Sequence, residues 1–232
     1  MNSSGFYDFD QIPFGNNDIE LAENPEPRCA CLLLLDNSGS MSGSKIDELN
    51  KGLQIFKEEL MADNLASKRV EVAIVSFGPV EVIQDFCGAE RFIPPTLQAR
   101  GATPMGEAIL LGLDLLENRK AKYKENGLAF FRPWVFLITD GGPTDDWRSA
   151  SEKVRTGETK KSFAFFSVGV GDANMEILKK ISLRQPLHLQ GVKFREMFVW
   201  LSNSMRSVSN SVPNTEVTLI DPTSGPHGWA SV

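Results

Sequence analysis

Leu32-Leu33-Leu34-Leu35-Asp36-Asn37-Ser38-Gly39-Ser40-Met41 is the stretch on which the fold turns. Four consecutive leucines read as a strand buried on both faces, the kind found in the middle of a parallel sheet. The run stops at a carboxylate. Small residues with hydroxyls follow: Ser38 and Ser40, then Ser42 and Ser44, set around Gly39 and Gly43. One carboxylate and two hydroxyls thus fall on a short loop at the carboxyl edge of a sheet, where open α/β sheets bind ligands. Oxygen donors of this sort suit a hard divalent cation, not zinc or copper, which favour His or Cys. Hydroxyls are neutral, so most of the ion's charge stays available to a further oxyanion.

Working outward, strands alternate with helices. The first strand is expected over about 28–35. Ile46, Leu49, Leu53, Phe56 and Leu60 recur at helical spacing, the stripe of a helix packed on a sheet. The second strand, Val70 to Phe77, is rich in β-branched residues. Gly78-Pro79 leaves no room for a crossover helix, so Val80-Glu81-Val82-Ile83 must run antiparallel, and Glu81 and Asp85 mark it as a wet edge. Thr103 is expected to cap a helix opening at Pro104. Ala108, Ile109, Leu111, Leu113, Leu115 and Leu116 spread over more than one face of that helix, which predicts deep burial.

Trp134 to Thr139 is a strand that again ends in a carboxylate, Asp140. Thr144 or Asp145 is expected to cap the next helix, near Trp147. A strand over 163–170, a short helix over 173–181 and a last edge strand at Leu187 to Leu189 come next. A final helix carries Phe194, Met197, Phe198, Leu201, Met205 and Val208 on one side, and the chain from Val212 reads as irregular. This order predicts an α/β fold: a doubly wound, mostly parallel sheet with one antiparallel edge strand and helices on both faces. The strands ending at Asp36 and Asp140 become neighbours where the winding reverses, which brings both carboxylates to one crevice.

The 232 residues carry a formal net charge of -6, with 41% hydrophobic and 23% charged residues, ordinary values for a soluble globular chain. The length suits one domain over 28–210, an arm over 1–27 and a tail over 211–232. Phe6, Tyr7, Phe9, Ile12 and Phe14 predict that the arm lies against the domain. The acidic balance argues against a nucleic-acid partner. No run approaches the ~18–20 apolar residues of a membrane span, and the first ten residues lack the basic start of a secretory signal. Cys29, Cys31 and Cys87 are odd in number and follow no framework spacing, which predicts reduced thiols. A cytoplasmic protein without a membrane partner is the expectation.

Three pieces in order, Asp36-Asn37-Ser38-Gly39-Ser40, Gly101-Ala102-Thr103-Pro104-Met105 and Thr139-Asp140-Gly141, resemble a von Willebrand factor A domain with a metal-ion-dependent adhesion site. The resemblance covers residues 28 to about 210. It implies that Ser38, Ser40 and Thr103 are hydroxyl ligands, that Asp36 and Asp140 are the two carboxylates, and that a partner protein's Asp or Glu completes the shell. The implied ion is a divalent cation, Mg²⁺ foremost, with Mn²⁺ or Ca²⁺ as alternatives. Within the family, Asp140-Gly141-Gly142-Pro143-Thr144-Asp145, the short loops and the Phe198-Val199-Trp200-Leu201-Ser202 helix are most similar to the bacterial cytosolic branch linked to tellurite-resistance (TerY-type) clusters. The long arm before Cys29 departs from that branch.

A non-catalytic, metal-dependent protein-binding module is therefore expected. The alternatives are a metal-dependent hydrolase or phosphatase, and an accessory subunit of a ring ATPase. An aspartyl-phosphate route would want a second Asp two residues after Asp36, where Ser38 stands. A serine route needs a His base, and His188 and His227, the two in the chain, have no reason to meet Ser38. Gly39-x-x-x-Gly43-Ser-Lys45 lacks the spacing of a phosphate loop. Gly169-Val-Gly171 is followed by Asn174 where a dinucleotide fingerprint needs Gly.

Overall fold

The leucine run becomes the strand next to the centre of a seven-stranded sheet, in a computed structural model that describes residues 24–213, 215, 217–224 and 228–232. In chain order the elements are β1 (Cys29–Leu35), α1 (Ser44–Met61), α2 (Ala66–Arg69), β2 (Val70–Phe77), β3 (Val80–Gly88), α3 (Met105–Glu125) and β4 (Trp134–Thr139). There follow α4 (Arg148–Thr159), β5 (Ala164–Val170), α5 (Met175–Ile181), β6 (Leu187–Leu189), α6 (Phe194–Ser209) and β7 (Ala230–Ser231). The strand order is β3-β2-β1-β4-β5-β6-β7. β2, β1, β4, β5 and β6 are parallel, and β3 is antiparallel on β2.

All seven residues of β1 are buried. Side chains alternate across the sheet, so Cys29, Cys31, Leu33 and Leu35 join a core with α1 and α6, whereas Ala30, Leu32 and Leu34 join one with α3, α4 and α5. The expected stripe of α1 is buried, and so are Phe194, Met197, Phe198, Leu201 and Met205 of α6. The three cysteines are free and buried. Burial pushes the Cys29 thiol up to about 12 and Cys87 up to about 11, so they behave as small apolar groups.

Three local expectations differ from the structure. In α3, Leu111 is exposed and Leu115 half-buried, because a single sheet face covers this helix and its outer side meets water. Leu187 to Leu189 forms a strand but not the edge, since β7 pairs antiparallel outside it through His188 with Ser231 and Leu189 with Ala230. The end of the chain, read as irregular, is held there by Trp229, which is fully buried against Trp200 with ring centroids 5.5 Å apart. The expectation for the aromatic arm falls on residues 1–23, outside the described residues, as does His227.

Candidate metal centre

β1 and β4 are adjacent and parallel, with Leu35 opposite Ile138, so Asp36 and Asp140 leave the same edge of the sheet. The Asp36 N–H donates to Ile138 O at 2.9 Å, which extends the pairing up to the carboxylate. Asp36 is fully buried. Its Oδ1 accepts the Ser38 N–H at 2.8 Å and its Oδ2 accepts the Thr139 hydroxyl at 2.5 Å. Burial raises its pKa; hydrogen bonds from Thr139 and Ser38 oppose the rise, and the charge of Asp140 adds to it. Among the described residues no Lys, Arg or His pairs with Asp36. A buried carboxylate that has no cation of its own and stands beside a second carboxylate costs free energy that a bound cation relieves.

Ser40 Oγ donates to Asp140 Oδ1 at 2.6 Å. That commits its single proton, so the 3.0 Å contact between the two serines has Ser38 as donor. The result is a directed chain, Ser38 to Ser40 to Asp140, in which both hydroxyls keep lone pairs free. Asp140 Oδ2 holds the Lys45 ammonium at 2.5 Å. Lys45, on the first turn of α1, also donates to Ser40 O at 3.3 Å.

The third segment arrives through the loop before α3. Arg100 N–H donates to Asn37 O at 2.7 Å and Gly39 N–H to Gly101 O at 3.1 Å. Gly101 has φ +73°, and a Cβ there would lie 2.0 Å from Gly78 O, so glycine alone permits this approach. The loop sets Thr103 beside the turn after β4: a Cβ on Gly141 would stand 3.8 Å from Thr103 Oγ1. Thr103 is buried, and among the described residues its hydroxyl has no hydrogen-bond partner.

Thr103 therefore does not cap α3 as its sequence context suggests. Asp145 does, from the loop after β4: Oδ1 accepts Gly106 N–H at 3.0 Å and Oδ2 accepts Glu107 N–H at 2.8 Å. Gly106 has no Cβ to keep that loop away, since one would lie 2.6 Å from Asp146 O. Thr144 Oγ1 accepts the Thr103 N–H at 3.1 Å, so neither Thr144 nor Asp145 serves α4. Asp146 instead receives the Arg148 N–H at 3.2 Å. With capping delegated across the site, the Thr103 hydroxyl is left available. Asp145→Ala is expected to cost about 1 kcal/mol, the usual worth of a helix cap, measurable as a lowered denaturation midpoint.

The five expected residues thus lie around one edge, joined by direct hydrogen bonds for all but Thr103. Among the described residues no three His, Cys, Asp or Glu side chains are placed to hold a metal. An ion here would rest on hydroxyls and two carboxylates, a hard-oxygen set that fits Mg²⁺ or Mn²⁺. Lys45 and Thr139 were not legible as site residues. The one available signal was position: Thr139 immediately precedes Asp140, and Lys45 opens the helix after the loop.

A family model for the von Willebrand factor type A domain matches residues 32–196. The human inter-alpha-trypsin inhibitor heavy chain H4 is 27% identical over 161 residues, 66% of this chain but only 17% of that protein. Among solved structures, the pilus adhesin SpaC from Lactobacillus rhamnosus GG in its open conformation aligns with a TM-score of 0.60 at 12% identity, over 80% of this chain and 31% of that one. Proximal thread matrix protein 1 from the mussel byssus aligns with a TM-score of 0.54 at 14% identity, over 79% and 49%. At such identities the two structures speak for the fold alone. With the family model spanning β1 through the start of α6, and the three motif pieces gathered at one sheet edge, this chain belongs to the von Willebrand factor type A domain family.

Proposed function

We propose that this domain is a non-catalytic protein-binding module whose Asp36, Ser38, Ser40, Thr103 and Asp140 hold one divalent cation, Mg²⁺ in the cell. The observation that carries the reading is the fully buried Asp36 carboxylate, without a cationic partner among the described residues, set beside a serine chain that ends on Asp140. When bound, the ion supplies a Lewis-acidic centre for a partner's Asp or Glu. The protein's own part is to hold hydroxyl lone pairs toward the ion and keep its anionic ligands few. Family membership supports the reading, because these domains generally mediate metal-dependent protein–protein interaction.

Catalysis has less support. His188 Nε2 lies 2.8 Å from Gly171 O and is committed there. Cavities of about 760 and 560 Å³ open beside Trp200 and beside Arg132, and neither is lined by any of the five residues. The finer setting, a cytosolic complex of the tellurite-resistance type, rests on the resemblance of the short loops, the Asp140–Asp145 segment and the Phe198–Ser202 helix.

Two measurements test the reading. Calorimetric titration with Mg²⁺ or Mn²⁺ is expected to show one site per chain. Chelation is expected to abolish metal-dependent capture of acidic partners in a pull-down, while the melting temperature falls by no more than a few degrees, because none of the five site residues belongs to either hydrophobic core. Equal capture with and without chelator would refute it.

A further inference from the structure

Lys45 is an unexpected component of this centre. Its ammonium lies 2.5 Å from Oδ2 of a carboxylate whose side chain is 0% exposed, and 3.3 Å from Ser40 O. Its stem runs against Gly171, where a Cβ would lie 3.6 Å from Cε. Gly171 has φ +55°, and its carbonyl is held by His188. The lysine is thus held in a slot made by three segments, with its charge directed inward; its side chain is 29% exposed.

Charge decides the consequence. Asp36 and Asp140 carry two negative charges, the hydroxyls none, and Lys45 cancels one. Without the lysine, a divalent ion would leave the centre neutral. With it, the loaded centre keeps a net positive charge.

We propose that Lys45 is the site's built-in counter-cation: it pairs with Asp140, weakens the binding of the ion, and strengthens the capture of an anion by the loaded centre. This rests on the metal reading above. Two like charges that share one buried carboxylate would repel, which would lower ion affinity. The same two charges act together on an incoming carboxylate, which raises ligand affinity. A merely structural lysine would not move these two affinities in opposite directions.

The test uses the full chain, Mn²⁺ as the ion and acetate as the carboxylate, both followed by water-proton relaxation. Lys45→Met is expected to bind Mn²⁺ roughly tenfold more tightly, and its loaded form to bind acetate at least about threefold more weakly. Lys45→Arg, which keeps the charge, is expected to stay near wild type in both. Lys45→Gln repeats the measurement should the methionine variant fail to fold, as judged by circular dichroism. A folded, uncharged variant with unchanged or weaker Mn²⁺ affinity, or unchanged acetate affinity, overturns the proposal. Should neither wild type nor variant take up Mn²⁺, the metal reading falls and this inference with it. Uptake by the variant alone would uphold the lysine's role while correcting the reading of the wild type.

Discussion

Glu71→Ala is expected to lower the unfolding free energy by about 3–5 kcal/mol, the usual cost of breaking a buried ion pair from one side. Glu71 lies on β2 and is 1% exposed, in a strand otherwise made of apolar and small residues. Its Oε2 receives Arg119 Nε at 2.6 Å and the Tyr123 hydroxyl at 2.5 Å, both from α3. Arg28 Nε is 3.1 Å from Oε1, an ion pair short of hydrogen-bond geometry. Burial works against the Arg119 charge, yet the Glu71 carboxylate reverses this and holds its pKa above the ordinary value. For Arg28 burial prevails, and its pKa falls despite Glu71. Deleting the carboxylate strands two buried guanidiniums, one of which, Arg119, already has an unpaired Nη2. Chemical denaturation measures the loss. Replacing Arg28, Glu71 and Arg119 together by apolar residues of similar size is expected to restore most of it, since the penalty belongs to unpaired charge. A single variant costing less than about 1 kcal/mol would show that water reaches the cluster.

The second large effect is functional. Ser38→Ala combined with Ser40→Ala is expected to weaken ion binding by at least about a hundredfold, beyond what outer ligand-supporting contacts usually contribute. Partner capture is expected to fall with it. Stability is expected to change by about 1–2 kcal/mol, from the lost contacts between Ser38 and Ser40 and between Ser40 and Asp140. The strands below do not involve these hydroxyls, so circular dichroism is expected to match wild type. Calorimetric titration with Mg²⁺ measures the first effect. A folded double variant that binds its partner as tightly as wild type would remove the bridging ion from the account.

Local pattern carried much of the fold. The four leucines, the two strands ending in carboxylates and the Gly78-Pro79 turn were each readable from nearest neighbours. From them followed the parallel core, the antiparallel β3 and the shared crevice of Asp36 and Asp140. Readings went astray where a residue's partner is distant. Thr103 looked like a cap because the residue that performs that task, Asp145, comes from another loop. The end of the chain looked irregular because two residues of strand gain their place from Trp229 packing on Trp200 rather than from any run of their own.

By itself, then, the sequence determined the periodicities, the strand endings and the oxygen-rich chemistry of the loop, because each depends on residues adjacent along the chain. Only the tertiary structure decided which charges meet. Lys45 on Asp140, and Arg28 and Arg119 on Glu71, are pairings across the sheet edge or between elements. A charged side chain's partner is set by the register and packing of separate elements, and spacing along one element carries no information about that choice.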